Sequence, residues 1–150
     1  MYVLITGGFD PLHSGHIRAF RYASAIGKLI VGVNSDEWLI RKKKSFLLPR
    51  EERATIIRNL SCVHDVLTNW SDNDGTACEA IQAFRGAYSR KGEPLLFANG
   101  GDRTPQNASD AEVSLCVSLD IMLLYGVGGD KTQSSSNFLA QYLKRINNST

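Results

Sequence analysis

The sequence predicts an α/β fold in which helices cover both faces of one parallel β-sheet. Short apolar runs alternate with longer stretches of helical periodicity along all 150 residues. The runs are hydrophobic almost without interruption, as is typical of strands buried on both faces. Alternation of this kind requires crossover connections. We therefore predict a doubly wound, Rossmann-like, five-stranded parallel sheet in a single domain that spans residues 1–150.

Five apolar runs are predicted to be the strands of this sheet. Each is about 4–6 residues long, is rich in Val, Ile, Leu or aromatic residues, and is closed by Gly, Asn or Ser. The runs are Tyr2–Thr6, Leu29–Asn34, Val63–Thr68, Leu95–Ala98 and Ile121–Tyr125.

Segments with apolar residues at helical spacing separate these strands. They predict helices over Ser14–Ile26, Arg50–Leu60, Asp74–Ser89, Ser109–Ser118 and Ser135–Ile146. In a doubly wound sheet, ligands bind at the carboxyl ends of the strands. The residues that follow each strand are therefore the first candidates for chemistry.

Composition argues against several classes of protein. The net charge is only +2, from 17 Lys and Arg against 15 Asp and Glu, which argues against nucleic acid as the main partner. No run approaches the ~18 apolar residues of a membrane span, and the opening Met1–Thr6 lacks the cationic flank of a signal peptide. The cysteines have no metal-type spacing and are expected to be free thiols in a reducing compartment. We therefore expect a cytoplasmic protein with no membrane or nucleic-acid partner.

The most informative segment is Gly7–His16, which follows the first strand and has the sequence GGFDPLHSGH. Gly7 and Gly8 allow backbone amides to approach a ligand closely. The helix that begins near Ser14 offers unpaired N–H groups at its N-terminus, where a phosphate binds favourably. This turn is therefore predicted to bind an anionic ligand.

His13 and His16 are three positions apart at this helix terminus, so both imidazoles can face one anion. An imidazole there can donate hydrogen bonds to charge that develops on a bridging oxygen without itself titrating. Gly15, between them, leaves room for a base or a phosphate to pack on the backbone. The alternatives are that the histidines simply cap the helix, or that they bind zinc. Zinc would lack a third ligand, because His64 lies near the start of a different strand.

Further motifs follow the later strands. Strand two ends in Val33–Asp36 and is followed by the basic run Arg41–Lys44. Strand four ends in Asn99–Arg103, and Ser134–Ser136 opens the last helix. Together with the GxFDxxHxGH form of the first segment, this set resembles the HxGH nucleotidyltransferase superfamily and, within it, the cytidylyltransferase-like family. The resemblance covers nearly the whole domain, since the motifs occur in the family's order.

The resemblance implies a nucleotidyltransferase, an enzyme that joins a nucleoside triphosphate to a phosphorylated small molecule and releases pyrophosphate. In this family the acceptor attacks the α-phosphate directly and in line, without a covalent intermediate. Mg²⁺ is expected to arrive on the triphosphate, ATP or CTP, and no protein metal site is expected. Relatives are commonly homodimers, so a homodimer is expected here too.

Carried over by position, the resemblance also assigns site residues. The catalytic residues are expected to be His13, His16, Lys42 and Lys44. Nucleotide binding is expected of Gly7, Gly8, Phe9, Asp10, Gly15, Asn99, Gly101, Asp102, Ser134, Ser135 and Ser136. The acceptor's phosphate is expected to contact Lys43, Arg53 and Arg103. Which lysine of the 42–44 run is essential stays open, and a solvated charged loop is the alternative for the whole run.

The substrates are less constrained by the sequence. Glycerol-3-phosphate cytidylyltransferases usually have arginines where Ser61 and the Lys131 region stand, so this chain departs from them twice. The Val33–Asp36 and Gly100–Asp102 elements resemble instead adenylyltransferases that make ADP-heptose from a sugar 1-phosphate. We therefore expect a sugar or polyol phosphate as acceptor, with ATP slightly favoured over CTP. The alternatives are a glycerol-3-phosphate cytidylyltransferase, an activity like that of nicotinate-mononucleotide adenylyltransferases, and a non-catalytic nucleotide-binding sensor domain.

Overall fold

The protein is described from a computed structural model that covers residues 1–88 and 92–149. Strands and helices alternate along these residues. In chain order the elements are β1 (Tyr2–Gly7), α1 (Ser14–Ile26), β2 (Lys28–Val33), α2 (Asp36–Lys43), α3 (Arg50–Arg58), β3 (Asp65–Leu67), α4 (Cys78–Tyr88), β4 (Leu95–Gly100), α5 (Asp110–Ser118), β5 (Met122–Val127) and α6 (Ser135–Asn148). Within the described residues, no helix is both long and apolar enough to cross a lipid bilayer.

The strands form one parallel sheet in the order β3-β2-β1-β4-β5. Leu4 of the central strand β1 pairs with Ile30 of β2 on one side and with Phe97 of β4 on the other. The direction of strand progression reverses between β1 and β4, which makes the sheet doubly wound. The predicted fold is thereby confirmed, and the reversal marks the edge at which such folds bind ligands.

Both faces of the sheet are covered, so the core consists of two apolar layers. Val3 and Ile5 of β1 belong to one layer, and Tyr2 and Leu4 belong to the other, because successive side chains of a strand point to opposite faces. The helices contribute Phe20, Ala23, Ala54 and Ile57 to the first layer and Ile81, Phe84 and Cys116 to the second. Burial on both sides explains why the strands are hydrophobic without alternation.

Helix α2 was not predicted from the sequence, in which a solvated charged loop was the alternative to a functional role for its basic end. Trp38, Leu39 and Ile40 are consecutive, and of the helix residues only Leu39 is fully buried, so the segment has no apolar stripe of helical period. The sequence does carry a start signal. Ser35 is the N-cap, and its hydroxyl accepts a hydrogen bond from the Trp38 N–H at 3.0 Å.

The other boundaries differ from the predictions by up to four residues. Helix α4 begins at Cys78 instead of Asp74, because Asp74 forms a turn in which its carboxylate accepts hydrogen bonds from the N–H and hydroxyl of Thr76. The predicted end of that helix, Ser89, lies outside the described residues. Strand β3 is limited to Asp65–Leu67.

Candidate active site

A cleft opens at the carboxyl ends of β1 and β4, where the strand order reverses. It has two lobes that share the turn after β1, His13, His16, Asp102 and Lys131. The first lobe is further lined by Gly15, Arg18, Gly101 and the loop Gly128–Gln133. The second lobe is further lined by Asn34, Trp38, Lys42, Lys43, Thr76, Ala77, Asn99, Arg103, Glu112 and Ser134–Ser136. Among the residues predicted from the sequence, all but Asp10, Lys44 and Arg53 line this cleft.

His13 and His16 form a reciprocal cap at the start of α1. Nδ1 of His13 accepts a hydrogen bond from the Gly15 N–H at 3.1 Å, and Nδ1 of His16 accepts one from the His13 N–H at 3.2 Å. The two rings stack with their centroids 3.8 Å apart. A neutral imidazole that accepts at Nδ1 carries its proton at Nε2. Capping is therefore observed, and because it uses only Nδ1 of each ring, it leaves both Nε2–H groups as hydrogen-bond donors and is compatible with anion binding.

Electrostatics keep these two rings neutral. Burial, then the neighbouring His13 ring and Lys43, lower the pKa of His16 to about 3. The pKa of His13 is lowered by burial and by the positive charges of Arg18 and Lys131. At neutral pH these shifts favour the neutral form of both rings.

Gly15 has a steric role at this turn. A Cβ at position 15 would lie 2.9 Å from Cε1 of His13 and 3.3 Å from Oε1 of Gln133. The sequence suggested that Gly15 leaves space for a base or a phosphate. In the structure, the His13 ring occupies the space next to Gly15. A larger residue at position 15 would force that ring to shift from its place over the first turn of α1.

Of the lysines in the basic run, Lys43 is the one whose positive charge affects the pKa of both histidines. It is half-buried and lines the second lobe, and it contributes to the lowered pKa of both histidines. Burial lowers the pKa of Lys43 itself, against the opposing effect of Asp10. Lys42 also lines the lobe, with its ammonium 4.5 Å from the centre of the Trp38 ring.

Ser134–Ser136 stand at the start of α6, against the turn after β1. Ser134 is the N-cap and accepts a hydrogen bond from the Asn137 N–H at 3.1 Å. The buried Ser135 hydroxyl donates to the Pro11 carbonyl at 2.7 Å, which ties the helix start to the turn after β1. The N–H groups of the first turn of α6 therefore point toward the same region as the histidines, where they suit an anion.

A polar network joins α1 to the loop before α6. Arg18 donates to the Thr132 hydroxyl at 3.0 Å and to Oε1 of Gln133 at 2.9 Å, and the Ser14 hydroxyl donates to the same Oε1 at 3.1 Å. Lys131 lies 3.8 Å from Asp102, and because both side chains are mostly exposed, this pair contributes little to stability. Arg18 was not foreseen from the sequence, since a single cation on a helix face carries no signal.

Asp10 and Lys44 do not face the cleft, although nucleotide binding and catalysis were expected of them. The buried Asp10 carboxylate accepts hydrogen bonds from the Leu47 N–H at 2.6 Å and the Leu48 N–H at 2.8 Å. It therefore anchors the segment between α2 and α3. Lys44 ends α2 in a left-handed conformation, with φ 68°, and its side chain is exposed.

Arg53 was expected to contact the acceptor's phosphate, and the structure gives it a different position. Its side chain is 0% exposed. Its Nε donates to the Leu48 carbonyl at 2.8 Å, and Nη1 donates to the Gly8 and Asn34 carbonyls, each at 2.8 Å. Nη2 donates to a carboxylate oxygen of Asp36 at 2.7 Å. Because the guanidinium donates hydrogen bonds to four other residues, it connects the segments that form the walls of the second lobe. It does not reach the interior of that lobe.

Asp72 fixes the start of α2 and was also not foreseen. Its carboxylate accepts hydrogen bonds from the Asn34 amide at 3.0 Å, the Ser35 N–H at 2.8 Å and the Ser35 hydroxyl at 2.6 Å. Arg41 donates to the Asp72 carbonyl at 2.7 Å. Burial raises the pKa of Asp72, but the hydrogen bonds from Ser35 and Asn34 outweigh it, so the pKa lies below its usual value. The ionised carboxylate thus holds the helix that carries Lys42 and Lys43.

Comparison with known proteins settles the family. A family model described as "Cytidylyltransferase-like" matches residues 4–102. The chain belongs to the cytidylyltransferase-like family. This confirms the family predicted from the sequence motifs.

Relatives of this cytidylyltransferase-like chain are longer proteins. It is 32% identical over 146 residues to the bifunctional protein HldE of Pelobacter propionicus, a match that covers 95% of this chain and 27% of that protein. It is 40% identical over 68 residues to the ethanolamine-phosphate cytidylyltransferase of Arabidopsis thaliana, covering 45% of this chain and 16% of that one. The chain therefore spans about a quarter of the length of HldE.

A solved structure shares the fold. The crystal structure of the lipopolysaccharide core biosynthesis protein from Thermoplasma volcanium GSS1 aligns with a TM-score of 0.63 and 23% sequence identity. The alignment covers 84% of this cytidylyltransferase-like chain and 93% of the other. The doubly wound architecture is therefore the one that this neighbour has.

Proposed function

We propose that this chain transfers a nucleotidyl group from a nucleoside triphosphate to a phosphorylated sugar or polyol. An oxygen of the acceptor's phosphate attacks the α-phosphorus, the bond from that phosphorus to the bridging oxygen breaks, and pyrophosphate leaves. Family membership supports the reaction class. The relatives HldE and ethanolamine-phosphate cytidylyltransferase support a phosphorylated small molecule as acceptor, since the second is named for one.

The two lobes suit the two substrates. The triphosphate would lie along the shared wall, with its α-phosphate at the Nε2–H groups of His13 and His16 and its outer phosphates at the start of α6. The acceptor would occupy the second lobe, where Lys43 can neutralise both its phosphate and the α-phosphate. Catalysis of this kind depends on positioning and charge neutralisation alone.

Magnesium would enter as the complex of the triphosphate. The described residues contain no group of three or more His, Cys, Asp or Glu side chains placed to hold a metal ion. The ionisable side chains of the shared wall are His13, His16, Lys131 and one carboxylate, Asp102, which lies 3.8 Å from Lys131. Phosphate oxygens and water are the ligands that Mg²⁺ prefers in such a setting, so the substrate supplies most of its shell.

The observation that carries the proposal is the reciprocal cap, which occupies Nδ1 of both cleft-lining rings and so leaves their Nε2–H groups as the remaining donors. Substitutions can separate the two ring nitrogens. His16→Asn retains an acceptor near the position of Nδ1 for the His13 N–H but lacks the outer donor, whereas His16→Gln retains a donor near Nε2. We expect His16→Asn to lower kcat by about 10²–10³-fold, as loss of one transition-state donor does, and His16→Gln to lower it less.

The matched control is His64→Ala, which removes an exposed histidine outside the cleft. It should leave kcat unchanged. Pyrophosphate release with Mg²⁺ is the assay, with ATP and CTP each tested against sugar 1-phosphates, glycerol 3-phosphate, phosphoethanolamine and nicotinate mononucleotide. Full turnover by His16→Asn would contradict the assigned donor role. Nucleotide binding without turnover on any acceptor would favour a sensor domain.

ATP is proposed as the preferred triphosphate, because the Val33–Asp36 and Gly100–Asp102 elements resemble those of adenylyltransferases. Homodimerisation and a cytoplasmic location stay predictions. Light scattering on the purified chain measures the first, and a mass of one chain, 16.5 kDa, would contradict it.

A further inference from the structure

Glu112 contributes a carboxylate to the second lobe that the reaction chemistry does not use. It lies in the first turn of α5 and is half-buried. Its Oε1 accepts a hydrogen bond from the Ala77 N–H at 2.9 Å, and its other oxygen has no hydrogen-bond partner within the described part of the chain. The lobe's other carboxylate, Asp102, is 80% exposed and lies beside Lys131. Glu112 is therefore the fixed carboxylate of this lobe.

Topology places Glu112 across the lobe from the lysines. Helix α2, with Lys42 and Lys43, follows β2, whereas α5 follows β4, and these strands flank β1 on opposite sides. A molecule whose phosphate lies at the lysines therefore extends past the end of β1 toward Glu112. Asn99 and Thr76 line the lobe as well, so polar groups accompany the carboxylate there.

We infer that the unpaired oxygen of Glu112 accepts a hydrogen bond from a hydroxyl group of the acceptor, and so selects a polyhydroxylated phosphate. This inference rests on the proposed function and specifies the part of the acceptor remote from its phosphate. Hydrogen bonds to an ionised carboxylate are stronger than those between neutral groups. An apolar pocket excludes a hydroxyl only weakly, whereas a site with a positioned hydrogen-bond acceptor discriminates strongly against analogues that lack the hydroxyl.

A hydroxyl fits this lobe better than the ammonium group of an amino alcohol phosphate. Four cations line the lobe against two carboxylates; these are Lys42, Lys43, Arg103 and Lys131, with Asp102 and Glu112. The excess of positive charge repels a further cation. A quaternary ammonium would also need an open aromatic face, and the Trp38 ring already has the Lys42 ammonium above it at 4.5 Å.

Glu112→Gln tests the inference, because the amide oxygen can still accept from the Ala77 N–H while an NH₂ group replaces the free oxygen. We expect the KM for a sugar 1-phosphate to rise by about tenfold or more. The KM for the triphosphate, kcat and the thermal midpoint should stay unchanged. The control is Asp110→Asn, which removes an exposed carboxylate of the same helix turn outside the lobe and should change none of these values.

The same panel separates failure of this inference from failure of the proposed function. Turnover of a sugar 1-phosphate with the same KM in Glu112→Gln and the unaltered chain overturns the inference alone. A preference of the unaltered chain for phosphoethanolamine, lost in Glu112→Gln, overturns the hydroxyl assignment. Absence of turnover by the unaltered chain overturns the proposed function. In that case, calorimetry measures binding of a sugar 1-phosphate in the presence of a non-hydrolysable triphosphate analogue. Weaker binding to Glu112→Gln than to the unaltered chain supports the inference. Equal binding to the two proteins, or no binding to either, overturns it.

Discussion

Replacing Arg53 by methionine separates a structural role from a substrate contact. The substitution retains an unbranched side chain but removes donors to three carbonyls and to the Asp36 carboxylate. A buried acceptor left without a donor costs about 1–3 kcal/mol, and breaking a buried ion pair costs about 3–5 kcal/mol. These losses share one guanidinium and do not add, so we expect the free energy of unfolding to fall by about 3–5 kcal/mol.

Urea unfolding followed by the fluorescence of Trp38 and Trp70 measures this change. The expected loss is a large share of the ~5–15 kcal/mol that stabilises an ordinary domain, and it corresponds to a fall of about 10 °C in thermal midpoint. Arg58→Met, which removes an exposed arginine from the last turn of the same helix, should change the free energy of unfolding by less than about 0.5 kcal/mol. The reasoning is refuted if Arg53→Met unfolds like the unaltered chain and instead raises the KM of the acceptor.

Three further predictions concern the cleft. Because the pKa of His16 is about 3, its ring ¹⁵N shifts should remain those of the neutral Nε2–H form from pH 8 to about pH 4.5, and a midpoint near pH 6.5 would contradict this. An unfolded histidine takes up a proton near pH 6.5 while the folded His16 does not, so His16 makes the protein less stable as pH falls from about 6.5 toward 3. Lys43→Ala should lower kcat/KM by about 10²-fold in pyrophosphate release while Lys44→Ala leaves it unchanged, and equal losses would argue against the distinction. Asp72→Asn should reduce the free energy of unfolding by about 1–3 kcal/mol and also lower kcat/KM, since α2 loses its anchor; unchanged kinetics would show that the lysines need no such support.

The sequence was sufficient for the sheet and for the part of the site that depends on local spacing. The strands are recognisable because burial on both faces demands continuous hydrophobicity, and glycine or asparagine closes β1 and β2. His13 and His16 are separated by one turn of α1, so their proximity follows from helix geometry alone. Ser134–Ser136 were recognisable as a helix start because serine is a preferred residue at the N-terminus of a helix.

What could not be predicted depends on pairs of residues distant in the chain. In the sequence, Arg53 cannot be distinguished from any other arginine in the first turn of a helix. Its burial results from tertiary contacts, including those with the carbonyls of Gly8 and Asn34. Asp72 is likewise one acid in a polar segment, because its partner Ser35 lies 37 positions away. Glu112 matches the Ser-x-x-Glu pattern of a helix start, and that local explanation hides its place in the second lobe.

The hydrogen bond from Ser135 to the Pro11 carbonyl joins positions 124 residues apart. During synthesis on the ribosome, the histidine pair therefore emerges early while its counterpart at the start of α6 is still untranslated. The sheet from β1 to β4 precedes α6 in the chain, so the start of α6 completes this wall of the cleft last. A chain that ends before residue 134 lacks both this hydrogen bond and the start of α6, so one wall of its cleft is missing.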